Sequence, residues 1–447
     1  MSDNRDMPHA DSSEKLNDVD ELRAAWPSLA RRERAAAFQS LPRDVTDDFF
    51  LDLDARNQAE LLEAMPEGER RIWMRLLAPD DAADLIQVVP EEKRAQLLDL
   101  LDPATRQEVT ALLAYKEDQA GGLMSPRFAR LRPEMTVDEA IAYLRRQAAQ
   151  LETVYYAYAV DPEQHLLGVV SFRDLFSADR TKQVQDIMRT RFVSATDQTD
   201  QEELARLFSE HHLLAIPILD AQRHMQGIVT IDDIVGVVER EALEDIQKIG
   251  GSQAFDEPYL EVNFLRMVKK RGGWLAALFL GEMLTATAMG YFQNEIAKAV
   301  VLALFIPLII SSGGNSGSQA TTLVIRAMAV GEVRLNQWWR VIRREVCAGL
   351  VLGAMLGAIG MTRILVWQRA AHPYGEHYML IALTVAFSLV GVVLFGTMVG
   401  SMLPFVLRTL GVDPASASAP FVATVVDVTG LIIYFSIASV ILRGTLL

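Results

Sequence analysis

A chain of 447 residues is too long for one hydrophobic core, so two or more domains are expected. Its charge is unevenly distributed, because residues 1–271 contain 51 acidic and 33 basic side chains whereas residues 272–447 contain 7 and 10. The acidic first part argues against nucleic acid as a partner, since phosphate contacts need clustered lysine and arginine. The only cysteine, Cys347, excludes a disulfide within the chain.

The first 119 residues divide into a tail and a helical domain. Residues 1–20 are polar and acidic without the apolar core of a signal peptide, and we expect a disordered tail. Residues 21–119 are predicted to form an all-α helical-repeat domain, because short amphipathic stretches alternate with prolines, which favour the first turn of a helix. These breaks are at Pro42, Pro66, Pro79, Pro90 and Pro103, with another near Asp54.

Residues 120–240 contain a tandem duplication. The segment GLMSPRFARLRPEMTVDEAI aligns with DIMRTRFVSATDQTDQEELA, and GVVSFRDL aligns with GIVTIDDI further on. Each copy predicts a helix, two strands and a second helix, with the strands near residues 155–161, 166–171, 213–220 and 225–230. The copies resemble a pair of cystathionine-beta-synthase (CBS) modules, residues 120–182 and 183–240. The resemblance implies tandem α/β modules that hold a nucleotide or another ligand in their clefts.

A repeated pattern, Gly-x-x-Ser/Thr-x-x-Asp, ends the second strand of each copy. It pairs Ser171 with Asp174 in the first copy and Thr230 with Asp233 in the second. Each pair can cap the following helix, and it can equally offer a hydroxyl and a carboxylate to a ribose. The residues alone leave both interpretations open.

From residue 272 the composition predicts an all-α transmembrane domain with five spans. The spans are predicted near residues 273–292, 299–327, 346–367, 379–403 and 420–442, each long enough to cross hydrocarbon. Residues 241–271 are predicted to form a connecting helix before the first span. Basic side chains precede the first span and follow the second and fourth, so the N-terminal domains are expected in the cytoplasm, beneath a cell inner membrane.

The second predicted span contains the sequence PLIISSGGNSGSQATT, residues 307–322. Glycines and small hydroxyl residues weaken a helix, and non-helical backbone inside a membrane is tolerated where it lines a cavity, so we expect the helix to be interrupted. The alternative is close helix packing, since Gly313 and Gly317 form a GxxxG motif. Asn315 and Gln319, four residues apart, would supply amide oxygens from one helical face.

Asp427 lies in the fifth span, which is otherwise apolar or weakly polar. A carboxylate at that depth is costly unless it faces protein, water or a cation, so it is a functional candidate whose expected task is ion permeation. The alternative is that Asp427 is protonated or caps a break in a helix.

Residues 307–319 and 413–430 are similar to segments of the MgtE family of magnesium transporters, and the family's domain order extends over nearly the whole chain. The resemblance implies a homodimeric, magnesium-selective channel in lipid, with one pore lined by the second and fifth spans of both subunits. It makes Asp427 the ion-binding carboxylate, with the Ala423 backbone and Asn315 near the filter. Ala419 stands where relatives often have glycine or asparagine, which puts a side-chain ligand there in doubt.

The charge of Mg²⁺ supports the implied homodimer. Magnesium gives up its waters reluctantly and typically takes one or two carboxylates. One copy of Asp427 would balance half of its charge, whereas two copies around a two-fold axis would balance all of it. Contact through water also permits release, which conduction requires.

Several acidic residues lie at helical spacings where a counterion would relieve their repulsion. Like charges three or four residues apart on a helix repel, and a solvated acidic face is the alternative interpretation. The resemblance implies that regulatory magnesium is bound by Asp80, Asp84, Asp200, Glu202, Asp233, Glu241, Glu244 and Asp245. Gly236 and His212 stand where acidic ligands can occur, which predicts fewer or weaker ions. Bound ions would compact the soluble part and hold the pore shut.

The resemblance also implies ATP as a regulator bound in the first CBS module. Tyr156 would stack on the adenine, Arg173 would approach the phosphates and Asp174 would hold the ribose. The alternatives are a tyrosine of the strand core and a capped helix.

These features predict a multi-domain membrane protein that mediates Mg²⁺ uptake and is gated by cytosolic Mg²⁺. An enzyme is not expected, because the sequence shows no nucleophile–base set, phosphate-binding loop or zinc spacing. Two alternatives remain: a membrane-anchored CBS nucleotide sensor, and an exchanger that couples divalent cations to protons or sodium. A mere membrane anchor has no need of Asp427, which discriminates against the sensor.

Overall fold

A computed structural model describes residues 19–255, 259, 262–372 and 374–446. The chain divides into two compact units, one through Glu239 and one from Arg240 onward. Residues 1–18, which hold most of the expected disordered tail, lie outside the described residues. Each unit is built on its own hydrophobic clusters.

The first unit begins with a series of short helices whose starts follow the prolines. α3, α5 and α7 begin one residue after a proline, and α6 and α8 begin at one. Asp54, at the further predicted break, caps α4 by accepting a hydrogen bond from the Asn57 backbone. The helices are α1 Val19–Ala25, α2 Arg31–Ser40, α3 Arg43–Leu51, α4 Ala55–Ala64, α5 Glu67–Met74, α6 Pro79–Val88, α7 Glu91–Leu98 and α8 Pro103–Leu112. The predicted all-α repeat is confirmed, with alternate helices α2, α4, α6 and α8 in contact.

The duplicated segment forms two three-stranded sheets of identical topology. In each sheet the middle strand pairs in parallel with the first strand and antiparallel with the third. The strands are β1 Ala129–Leu131, β2 Tyr156–Val160, β3 Leu166–Ser171, β4 Ala195–Thr196, β5 Ala215–Leu219 and β6 Met225–Thr230. The four predicted strands are confirmed, whereas β1 and β4 were missed because two or three residues are too short for an alternating pattern to register.

Helices flank each sheet and carry the repeated polar pairs. They are α9 Ala120–Leu123, α10 Val137–Gln147, α11 Phe172–Ser177, α12 Val184–Ile187, α13 Gln201–His211 and α14 Ile231–Ile249. The Ser171 hydroxyl accepts from the Asp174 backbone N–H at 3.1 Å and donates to its carboxylate at 2.7 Å. The Thr230 hydroxyl likewise donates to the Asp233 carboxylate at 2.8 Å. Both contacts are those expected of helix capping.

The second unit is helical among its described residues. It contains the end of α14, followed by α15 Phe264–Tyr291, α16 Gln293–Lys298, α17 Val300–Ala303, α18 Ile306–Ala329, α19 Trp338–Ala371, α20 Tyr378–Thr409 and α21 Ala419–Ile441. Of the helical segments described, five are long and apolar enough to cross a membrane. They lie at the five predicted positions, and the second span consists of α17 and α18.

The expected interruption of the second span is wrong, because α18 is continuous through residues 307–322. Its glycines serve close packing against α20 instead. A Cβ atom on Gly396 would lie 2.3 Å from the Gly313 carbonyl oxygen, and one on Gly400 would lie 2.2 Å from the Gly317 carbonyl oxygen. The Thr321 hydroxyl bridges the carbonyls of Gly317 and Gly400 at 3.0 and 2.8 Å. Tertiary packing therefore overrides the low helix propensity of glycine.

The expected connecting helix over residues 241–271 is also corrected. α14 ends at Ile249, and Gly250 and Gly251 follow, with Gly251 at a φ of +77° that side chains rarely adopt. The next helix, α15, begins at Phe264, where Asn263 caps it through the Leu265 backbone at 2.9 Å. Part of the intervening segment, residues 256–258, 260 and 261, lies outside the described residues.

Candidate ion-binding cavity and acidic surfaces

A cavity of about 430 Å³ lies between α15, α18 and α21 in the second unit. It brings together the three residues that the sequence predicts for the pore, Asp427, Asn315 and Ala423. Gln319, the other predicted amide, is exposed and stands outside this lining. The cavity is lined by Glu282, Thr285, Pro307, Ile310, Ser311, Gly314, Asn315, Ser318, Ala423 and Asp427.

Contacts between the helices fix the level of each side chain in this cavity. α15 and α21 run in the same direction, because the Trp274 indole donates to the Ser418 hydroxyl at 3.3 Å and Gly281 lies against Thr424 further along. α18 crosses α21 in the opposite sense, with the Ser318 hydroxyl donating to the Ala419 carbonyl at 3.2 Å. The Ala419 carbonyl therefore already accepts a hydrogen bond, and Ala419 is not among the residues that line the cavity.

The same cavity contains a carboxylate that the sequence interpretation missed, Glu282 of α15. Glu282 and Asp427 are the two carboxylates of this lining. The signal was present, because Glu282 follows ten residues of the apolar run that begins at Gly272, and the criterion applied to Asp427 selects it as well. The argument for a homodimer counted one carboxylate for each subunit, Asp427, whereas the cavity of one chain contains two.

In the first unit, Asp80 of α6 is the most buried of the predicted sensor residues, with 6% of its surface exposed. Its Oδ1 atom has no hydrogen-bond partner among the described residues. Burial, together with the carboxylates of Glu152, Asp233 and Asp81, raises the pKa of Asp80 well above its usual range. A buried acid without a cation nearby is costly to ionise.

Asp80 is part of a larger group of carboxylates, which we call the acidic interface: Asp80, Asp81, Glu152, Asp232 and Asp233. Desolvation and then the carboxylates of Asp233 and Asp232 raise the pKa of Asp81 to about 6, although this side chain lies at the exposed edge of the group. The pKa of Asp233 is also raised to about 6, first by burial and then by Asp232 and Glu152. The interface joins the helical domain to both CBS modules. Glu152 was missed because it is distant in sequence from the other members. Asp81 and Asp232 adjoin the predicted residues Asp80 and Asp233, but only spacings of three and four residues were considered.

The other predicted sensor residues of the first unit are Asp84, Asp200 and Glu202. Asp200 is exposed and caps α13 by accepting from the Glu202 backbone at 2.9 Å, while the Glu202 side chain is itself exposed. Asp84 lies half-buried one turn after Asp80. Over the described ranges, no three or more His, Cys, Asp or Glu side chains have the arrangement needed to hold a metal ion directly.

The end of α14 forms a second acidic group, within the second unit. The Lys248 ammonium forms ion pairs with Glu244, one turn earlier, and at 2.6 Å with Asp413, in the segment before α21. Asp245 lies among these charges, and its pKa is raised to about 6, first by burial and then by Asp413 and Glu241. The predicted residues Glu241, Glu244 and Asp245 thus share one location, to which Lys248 supplies a cation.

A cleft of about 630 Å³ opens between the two CBS modules. Tyr156 and Ser171 line it, as expected for a nucleotide site, and so do Arg189, Arg191 and Arg223. Arg173 is exposed, and neither it nor Asp174 is part of this lining. Arg189 instead contacts the Asp174 carboxylate at 3.3 Å, so a ribose at Asp174 must displace that ion pair.

Comparison with known protein families gives matches along most of the chain. They are the MgtE intracellular N domain over residues 17–118, CBS domains over residues 120–180 and 184–240, and the MgtE divalent cation transporter over residues 306–437. The magnesium transporter MgtE of Thermus thermophilus is 40% identical over 427 residues, which are 95% of this chain and 93% of that relative. The chain belongs to the MgtE family.

Further MgtE proteins extend the comparison. The magnesium transporter MgtE of Bacillus subtilis is 32% identical over 422 residues, 94% of this chain and 91% of the relative. The crystal structure of the cytosolic domain of the Mg²⁺ channel MgtE in complex with ATP is 39% identical, covers 50% of this chain and 92% of that one, and has a TM-score of 0.47. The resemblance and the fold class predicted from the sequence are therefore confirmed: a helical N domain, a CBS pair and five apolar helices.

Proposed function

We infer that this member of the MgtE family transports Mg²⁺ across a membrane, through the cavity that Asp427 lines. One observation carries the inference: a carboxylate inside an apolar span faces a cavity lined by amide, hydroxyl and carbonyl groups. A cavity of 430 Å³ also has room for a hydrated ion. Six waters at about 30 Å³ each occupy about 180 Å³. Asp427, Asn315 and the Ala423 carbonyl would then contact the ion through its waters.

The test is magnesium uptake by a magnesium-starved bacterial host that expresses the wild type, Asp427→Asn or the control Glu332→Gln. Glu332 is an exposed residue between the second and third spans, so its variant loses one negative charge elsewhere. Uptake should persist in the wild type and the control and fall at least about tenfold in Asp427→Asn, the loss expected for one charged contact. Equal uptake by all three would refute this role for Asp427.

The same assay separates the remaining alternatives. A membrane-anchored CBS nucleotide sensor predicts that Asp427→Asn has no effect on magnesium uptake. An exchanger predicts that collapse of the proton or sodium gradient stops transport, even when the magnesium gradient and membrane potential are held constant. Transport by a channel or uniporter depends only on the magnesium gradient and the membrane potential.

The transporter is proposed to be a homodimer with one shared pore. The family resemblance supports it, and so does the need to balance a divalent charge at Asp427. The second carboxylate, Glu282, weakens the charge argument, because one chain then supplies two charges to its own cavity. Crosslinked dimers with a single Asp427→Asn subunit distinguish the cases: a shared pore should lose most of its flux, whereas independent pores should retain about half.

Cytosolic Mg²⁺ is proposed to regulate transport through the acidic groups. Carboxylates that are buried together destabilise the compact arrangement, and a divalent ion that binds them restores it. Magnesium should therefore protect the soluble part of the full-length protein from proteolysis. Replacing Glu241, Glu244 and Asp245 together by glutamine, glutamine and alanine should reduce that protection. Unchanged protection would exclude this group as part of the sensor.

The membrane is proposed to be the bacterial inner membrane, with the N-terminal domains in the cytoplasm. Lys269, Lys270 and Arg271 precede the apolar part of the first span, and several arginines separate the second span from the third. This distribution follows the positive-inside rule. A cysteine introduced for Ser252, before the first span, should react with a membrane-impermeant maleimide only in inverted vesicles.

ATP is proposed as a regulator bound in the cleft between the CBS modules. Tyr156 offers an aromatic face, and the three arginines of the lining offer positive charge to phosphates. Equilibrium dialysis of ATP against the full-length protein should show weaker binding for Tyr156→Ala and for Arg191→Gln. Arg173→Gln, which removes a charge outside the lining, is the matched control and should bind ATP as the wild type does.

A further inference from the structure

Glu282 stands at a depth where ionisable side chains are rare. The apolar part of α15 begins near Gly272, and ten residues of helix rise about 15 Å, half of the roughly 30 Å thickness of the hydrocarbon. Asp427 lies eight residues after the start of α21, about 12 Å along it. Since α15 and α21 run in the same direction from Trp274 and Ser418, both carboxylates reach the same level.

The cavity wall beside Glu282 also contains a hydroxyl group that lacks a hydrogen-bond partner among the described residues. Thr285, one turn further along α15, also lines the cavity. Its hydroxyl oxygen is buried and has no hydrogen-bond partner within the part of the chain that the structure describes. Hydroxyl groups of membrane helices normally bond to a carbonyl in the preceding turn, as Thr424 does with Pro420 at 3.1 Å. A buried hydroxyl that lacks this bond is costly, so a polar group brought to it would stabilise the site.

Electrostatics require a partner for two carboxylates in one cavity. Of the described residues that line it, Glu282 and Asp427 are the charged ones, so the lining supplies two negative charges and the rest is neutral. Two such charges repel each other strongly away from bulk water. One divalent cation balances both, which a monovalent ion cannot do.

We propose that Glu282 is a second carboxylate of the ion site, which holds one hydrated divalent cation together with Asp427 of the same chain. The site thus spans the first and fifth membrane helices. Glu282 sets the preference for divalent over monovalent ions, because removing it leaves a single charge per chain. This inference rests on the proposed function and adds to it a residue outside the segment that matches the cation-transporter family model.

The test uses the full-length protein in liposomes that contain a magnesium-sensitive dye. The half-saturating Mg²⁺ concentration is measured for the wild type, Glu282→Gln, Glu282→Asp and the control Glu332→Gln. Glu282→Gln should raise it on the order of tenfold, the loss expected for one charged contact. Glu282→Asp retains the charge and should stay much closer to the wild type, while the control should not differ from it. A half-saturating concentration unchanged in Glu282→Gln would overturn the proposal.

A second readout does not depend on Mg²⁺ flux. Hexaamminecobalt(III) resembles a hydrated cation but cannot lose its ligands, so it reports contact through the outer shell. Its affinity for the full-length protein in detergent, measured by calorimetry, should fall in Glu282→Gln relative to Glu332→Gln. Equal affinities would count against the proposal. If wild-type liposomes took up no magnesium, the proposed function would fail, and this binding difference would still decide the role of Glu282.

Discussion

The cavity of the second unit and the acidic interface of the first unit both bring carboxylates together, but they place them in different surroundings. In the cavity, Asp427 and Glu282 face open space beside neutral amide and hydroxyl groups. In the acidic interface, only 6% of the surface of Asp80 is exposed, and one of its carboxylate oxygens lacks a hydrogen-bond partner among the described residues. The cavity has room for water, so it suits a hydrated ion that must be released again. In the acidic interface the carboxylates are packed against protein, so the stability of the packing depends on whether a cation or a proton neutralises their charge.

Two clusters of acidic residues can therefore have different roles, depending on whether their carboxylates face a polar cavity or are packed against protein. A carboxylate in a polar cavity can exchange ions without a change in fold, because its walls are held by apolar and glycine contacts. A carboxylate inside a packed interface couples ion binding to the packing, since the ion binds one arrangement better than the other. The first kind of site favours passage and the second favours sensing.

The largest effect on magnesium uptake is expected from Gly396→Leu, which disturbs the helix packing around the cavity and leaves both carboxylates in place. Even a Cβ atom at Gly396 would lie 2.3 Å from the Gly313 carbonyl oxygen, so α18 must move away from α20. Overpacking costs about 1–3 kcal/mol even in adaptable cores. Uptake should fall to background, and the protein should unfold at a lower temperature in detergent. Gly272→Leu, at a glycine with no neighbour within 4 Å, is the control; equal uptake by both variants would show that the walls do not matter.

Unlike Gly396→Leu, Asp80→Asn should change the stability of the soluble part and leave transport through the cavity unchanged. Asparagine keeps the shape but removes a buried negative charge, so the soluble part should become more stable in the absence of Mg²⁺ by about 1–3 kcal/mol. The measurement is resistance to proteolysis of the full-length protein in EDTA. Glu91→Gln, an exposed acid at the start of α7, provides the control. A variant less resistant than the wild type would contradict the claim that Asp80 opposes packing.

Sequence reasoning succeeded where one local feature determines the structure. Proline at a helix start, a duplicated segment and an apolar stretch of sufficient length each act within a few residues, and they identified the helical repeat, the CBS pair and the five spans. Asp427 was also found this way, because its chemistry contradicts its surroundings. Glu282 could have been found by the same criterion.

The remainder depends on contacts between distant residues. Glu152 joins Asp80 and Asp233 only because three domains pack together, and Lys248 meets Asp413 across 165 residues of sequence. α18 stays continuous because it packs closely against the glycines of α20. The glycines in its own sequence therefore wrongly indicated an interruption. Such features require the fold before they can be predicted.

The acidic groups also predict a dependence on pH. The pKa values of Asp81, Asp233 and Asp245 are raised to about 6, above the unfolded value of 3.8. The folded protein therefore binds more protons between about pH 4 and pH 6, so its stability falls as pH rises through this window and is constant above it. In EDTA the soluble part should resist proteolysis better near pH 5.5 than near pH 7.5. Saturating Mg²⁺ should reduce the difference, since the ion binds the charged form; an unchanged difference would argue that the ion binds elsewhere.

The smallest effect is expected at Lys248, which already supplies a cation to an acidic group. Its ion pairs with Glu244 and Asp413 are partly exposed, and such pairs contribute about 0–1 kcal/mol. In Lys248→Gln, Asp245 and its acidic neighbours lose that cation, so cleavage between α14 and α15 should accelerate by roughly two- to fivefold in EDTA. In saturating Mg²⁺ the rates should converge, because the ion replaces the ammonium. A variant cleaved faster by the same factor in both conditions would show that Lys248 acts by packing alone, and that a cation at this position has no part in regulation.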